Sequence, residues 1–101
     1  MRGEGAAGSS DSSEASATVR VVNPQGLHAR PISCFVKLSS RYSCRISVRG
    51  PGGEADGASV LSMMSLAASQ GAELAITARG ADAHEALAAL VDLVTRGFDE
   101  A

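Results

Sequence analysis

His28 and Arg30 have the residue types and the spacing needed to take up a phosphoryl group. They lie in the run Asn23-Pro24-Gln25-Gly26-Leu27-His28-Ala29-Arg30-Pro31, where a β-branched stretch ends in a glycine-containing turn and a helical pattern begins just after the histidine. The first N–H groups of a helix have no partner within it, so that end attracts anions. A phosphoryl group on the His28 imidazole would rest against the amides of Ala29 and Arg30. The Arg30 guanidinium would add a charge-assisted contact. Histidine suits the chemistry because an ordinary pKa of about 6.5 leaves a neutral, nucleophilic nitrogen near pH 7. No Asp or Glu stands within the segment to repel the incoming charge. A histidine ahead of a helix is more often a plain surface or capping residue, and the residues alone leave that reading open beside the phosphate acceptor.

Other reactive side chains give weaker signals. His84 falls in the first turn of the last helical segment, followed by Glu85, and reads as solvent-exposed without chemistry. Cys34 and Cys44 could serve a metal or redox protein, but no third and fourth ligand stand at suitable spacing, so no metal and no cofactor are expected. Two unpartnered thiols fit a reducing, cytoplasmic setting. Arg2 is not followed by the apolar run of a secretion signal, and no apolar stretch approaches the roughly 20 residues that span a bilayer.

The elements that must position His28 follow from periodicity. Val19-Arg20-Val21-Val22 is a β-branched run. Ile32, Phe35, Val36 and Ser39 keep helical spacing, with Pro31 in a first turn where its missing N–H is no loss. Cys44 to Arg49 alternates as a strand with one buried face, Gly50-Pro51-Gly52-Gly53 reverses the chain, and Glu54 to Asp56 returns it. Ser59 to Leu66 predicts a short helix with Val60, Met63 and Met64 on one face. Glu73 to Ala78 predicts the last strand. Asp82 and Glu85 have capping-box spacing ahead of a long helix that carries Ala83, Ala86, Leu87, Leu90, Val91 and Val94 on one face. The order βαββαβα implies an α+β fold in which one antiparallel sheet packs all its helices on one face. The polar alternates Arg45, Ser47 and Arg49 would line the solvated face.

Composition bounds the rest. The chain has 101 residues and a net charge of -2, with no Trp, one Tyr and two Phe. That argues against nucleic-acid binding, which asks for a basic footprint and stacking aromatics. Residues 1–16 offer no large apolar side chain apart from the first Met and are expected to form a disordered tail. Residues 17–98 would then be the domain and 99–101 a short C-terminal tail.

Two motifs add a resemblance. Gly26-Leu27-His28-Ala29-Arg30-Pro31 and, at the expected separation, Ser59-Val60-Leu61-Ser62-Met63-Met64-Ser65-Leu66 resemble the HPr family, the histidine phosphocarriers of the bacterial phosphotransferase system, and the likeness covers nearly all of 17–98. The resemblance implies an open-faced β-sandwich of four antiparallel strands and three helices. It implies that His28 takes phosphate from enzyme I at the expense of phosphoenolpyruvate and passes it to an enzyme IIA-type acceptor, with Arg30 as phosphate partner. The chain would be a phosphoryl relay, expected as a monomer, rather than a free-standing enzyme. Ser59 stands where some members are phosphorylated by HPr kinase/phosphorylase, and as an N-cap it would place a phosphate at free amides. Leu27, Met63 and Met64 are the candidates for a docking surface, Met being suited to adaptable contacts, and Phe35 for the core. Ala58 and Ala67 depart from the Lys and Gly usual at those positions. The ending Gly97-Phe98-Asp99-Glu100 resembles the nitrogen-related branch, which implies as the alternative a regulatory module acting on partners according to its phosphorylation state.

Overall fold

The computed structural model describes residues 13–100. Strand β1 (Glu14–Arg20) is followed by helix α1 (Ala29–Ser39), the hairpin β2 (Arg45–Gly50) and β3 (Gly53–Asp56), helix α2 (Val60–Met64), strand β4 (Glu73–Arg79) and helix α3 (Ala83–Thr95). A single turn over Gly97–Asp99 closes the order. The four strands form one antiparallel sheet in the order β1-β4-β2-β3.

Alternation sorts the two faces of the sheet. Ala15 and Val19 of β1, Ile46 and Val48 of β2, Ala55 of β3, and Leu74, Ile76 and Ala78 of β4 are buried. They meet Ile32 and Phe35 of α1, Met63 of α2, and Ala86, Leu90 and Val94 of α3 in one apolar cluster. Fully burying the Val, Leu, Ile, Phe and Met side chains among them is worth about 1.5–3 kcal/mol each against leaving them in water. The opposite face carries cross-strand polar pairs: Arg79 with Glu14 at 2.7 Å, Arg20 with Glu73 at 3.2 Å, and Ser16 with Thr77 at 3.1 Å.

Three expectations need correction here. The first strand starts at Glu14, not at the β-branched Val19, so the domain begins before residue 17. Small residues do the packing there, since Ala15 is buried opposite Ala78 beneath the helical layer. The expected tail otherwise falls on residues 1–12, which lie outside the described residues. The capping box also does not form. Asp82 precedes α3 but its side chain makes no cap bond; its carboxylate instead accepts the Ser43 amide at 2.8 Å, tying the start of α3 to the loop before β2. That amide holds the Asp82 carboxyl below its usual range, while burial and then Asp82 push the Cys44 thiol up. Finally, 99–101 is not simply a tail: Asp99 belongs to the closing turn, and Glu100 reaches the histidine.

Candidate functional site

A tight turn delivers His28 to the start of α1. The Gly26 amide donates to the Asn23 carbonyl at 3.0 Å, the His28 amide to the Gly26 carbonyl at 3.1 Å, and the Asn23 side-chain amide to the same Gly26 carbonyl at 2.8 Å. Gly26 sits at φ +70, where a Cβ would lie 2.6 Å from the Ala68 carbonyl oxygen. The turn therefore needs glycine both for its backbone angle and for the close approach of the segment after α2. Leu27 adds a bond from its amide to that Ala68 carbonyl at 2.8 Å, which joins the histidine loop to the segment after α2.

The start of α1 is left open. His28 occupies the N-cap with extended backbone, its side chain caps nothing, and the first turn holds no acidic residue. The first helical bond runs from the Ile32 amide to the His28 carbonyl at 3.1 Å. Pro31 has no N–H, so the amides of Ala29 and Arg30 are the ones left without a helical acceptor. The Arg30 side chain is exposed and has no hydrogen-bond or ion-pair partner among the described residues. It lines an open pocket of about 650 Å³ with Pro24, Gln25, His28, Cys34 and Glu100. An imidazole and a guanidinium without a partner among the described residues thus line one open concavity, at a helix start whose first two amides have no helical acceptor. That arrangement can accept a phosphate-sized anion on the histidine.

The same pocket contains a residue that local reasoning missed. Glu100 lies 72 positions from His28, yet its carboxylate oxygens are 3.4 and 3.2 Å from the His28 Nε2. One of them also accepts the Asn23 side-chain amide at 3.0 Å. The absence of acidic residues within Asn23 to Pro31 therefore does not make the site free of them. Only the resemblance of the chain's ending to the nitrogen-related branch pointed at this residue, and it assigned it no contact.

The second motif is divided by burial. Ser59 is the N-cap of α2, its hydroxyl accepting the Ser62 amide at 3.1 Å. Met63 is fully buried and is removed from the docking candidates, because α2 turns it toward the sheet. Met64 stays exposed, and Leu61, 81% exposed, joins it with Val60 on the outer face. The apolar face expected from Val60, Met63 and Met64 is thus split, since a helix of five residues is too short for its pattern to fix which side faces in. Leu27 is half-buried against the core, and Phe35 is fully buried. His84 is exposed, away from these residues in sequence and on a different helix. Cys34 and Cys44 are both free thiols. Among the described residues no cluster of His, Cys, Asp and Glu is placed to hold a metal ion, and no helix is long and apolar enough to cross a membrane.

Comparison with known proteins bears on the same residues. The family model for the PTS HPr component phosphorylation site matches residues 15–96. The chain is 41% identical over 83 residues to the phosphocarrier protein HPr of Pseudomonas aeruginosa, covering 81% of this chain and 92% of that protein. It is 34% identical over 84 residues to the phosphocarrier protein NPr of Escherichia coli, covering 82% and 93%. The crystal structure of an HPr from Thermoanaerobacter tengcongensis superimposes with a TM-score of 0.81 at 38% identity, over 86% of this chain and 98% of that one.

Proposed function

We propose, from the premise that this chain belongs to the HPr family of phosphotransferase-system phosphocarriers, that His28 accepts phosphate from enzyme I and hands it to an enzyme IIA-type acceptor in the cytoplasm. The observation that carries this reading is the open start of α1, where the Ala29 and Arg30 amides and the unpaired Arg30 guanidinium lie beside the imidazole. In the forward step a ring nitrogen attacks phosphorus and the donor's bond to phosphorus breaks, its electron pair leaving with the donor. The onward step reverses these roles. Helix amides and guanidinium hold the dianionic group between the two steps.

Docking is assigned to Leu61 and Met64 of α2 with Leu27 beside the histidine. The bond from the Leu27 amide to the Ala68 carbonyl, which ties the histidine loop to the segment after α2, supports this reading. Phosphorylation of Ser59 by an HPr kinase/phosphorylase would set a dianion next to the exposed Leu61 and Met64 and oppose docking of an acidic partner, without refolding α2.

Incubation with enzyme I and labelled phosphoenolpyruvate tests the relay. The expected result is an acid-labile, base-stable label that His28→Ala abolishes; an unlabelled wild type overturns the reading. The resemblance of residues 97–100 to the nitrogen-related branch favours a second reading, a regulatory module whose contacts with partners depend on its phosphorylation state. Partner binding that is unchanged by phosphorylation would remove it.

A further inference from the structure

We propose that Glu100 is a positioning residue for His28: its carboxylate accepts the hydrogen carried on Nε2 and thereby leaves the Nδ1 lone pair as the nucleophile. The inference rests on the phosphocarrier reading and adds to it a residue that sets the state of the ring.

The contact is built from several sides. Both Glu100 oxygens lie within 3.4 Å of Nε2. Asn23, 98% buried by its 2% exposure, donates one side-chain hydrogen to the Gly26 carbonyl at 2.8 Å and directs its other bond to Glu100 at 3.0 Å. One amide therefore braces the turn that presents His28 and the carboxylate that faces it. The chain bends sharply to reach this point. Gly97, Phe98 and Asp99 follow one another at φ +68, +58 and +62. Left-handed backbone is unusual at a bulky residue such as Phe and persists where its surroundings enforce it. Here Phe98 is 5% exposed in the core and Arg96 holds the Asp99 carboxylate at 2.9 Å.

The chemistry follows from what each group can offer. An ionised carboxylate only accepts, so a neutral ring facing Glu100 carries its hydrogen on Nε2 and keeps its lone pair on Nδ1. When Nδ1 bonds to phosphorus, the donor takes the electron pair of the broken bond. The ring then bears phosphorus on Nδ1 and hydrogen on Nε2 and is cationic, and the Glu100 charge opposes that cation on the side away from the phosphoryl group. Carboxylates orient metal-bound and triad histidines in the same manner.

The test uses the full chain with Glu100→Ala and Glu100→Gln. Ring-nitrogen NMR of the unphosphorylated protein should show a protected Nε2–H signal in wild type that Glu100→Ala loses to solvent exchange and Glu100→Gln keeps. Losing this charge-assisted bond should slow phosphorylation by enzyme I about tenfold in Glu100→Ala, with Glu100→Gln in between. A wild-type ring carrying its hydrogen on Nδ1 overturns the proposal, as does a Glu100→Ala chain labelled at the wild-type rate. Those results leave the phosphocarrier reading standing, whereas a wild type that takes no label overturns both.

Discussion

The starts of α1 and α2 are built from similar parts and left in opposite states. At α2 the N-cap Ser59 turns its own hydroxyl onto the Ser62 amide and closes the helix from within. At α1 the N-cap His28 makes no side-chain cap bond, and the following amides keep no local acceptor. A helix end capped by its own side chain is a structural joint, and one left uncapped beside a nucleophile and a guanidinium is a place for a visiting anion. Asp82 gives a third arrangement, since it precedes α3 but bonds across to Ser43.

Substitutions can break or sharpen this contrast. The largest effect is expected from Gly26→Ala, because a Cβ would meet the Ala68 carbonyl at 2.6 Å in a left-handed turn. A loss on the order of 3 kcal/mol in urea unfolding, with transfer lost too, is expected; an unaltered midpoint would mean that the turn can move. Arg30→Ala should keep wild-type stability and weaken the hold on the phosphoryl group by about 1.5–3 kcal/mol, read as slowed transfer. An unchanged rate removes Arg30 from the site. Ser59→Ala should do the converse, costing about 1 kcal/mol, or roughly 4–8 °C in Tm, with His28 labelling intact. If it slows labelling as Arg30→Ala does, the two helix starts are not distinct. The smallest effect is at Asp82, whose carboxyl is held low by the Ser43 amide. Its contribution should be complete above about pH 5 and fade as pH falls through the carboxyl's own titration. Asp82→Asn should lack that acid-side loss in denaturation measured from pH 7 to pH 2, and an identical pH profile would discount the bond.

Local features were the legible ones. His28, Arg30, the Ser59 cap and the order of elements each rest on neighbours within a few residues, where turn chemistry and periodicity act. Strand β1 was legible only from Val19 because Ala15 and Ala17 show their role only once Ala78 and Ile76 lie across from them. Met63 could not be told from Met64 because a single helical turn has no pattern long enough to fix its inner side. Glu100 was out of reach for a plainer reason: its partners Asn23 and His28 lie 77 and 72 residues away, brought close only by the turn after α3.

The central claim is that the amides opening α1 receive the transferred phosphate. Amide NMR of the chain before and after phosphorylation by enzyme I and phosphoenolpyruvate tests it most directly. The Ala29 and Arg30 signals should make the largest downfield moves while those of Val60 to Ser62 stay in place. A fully phosphorylated protein whose Ala29 and Arg30 signals do not move would contradict the account.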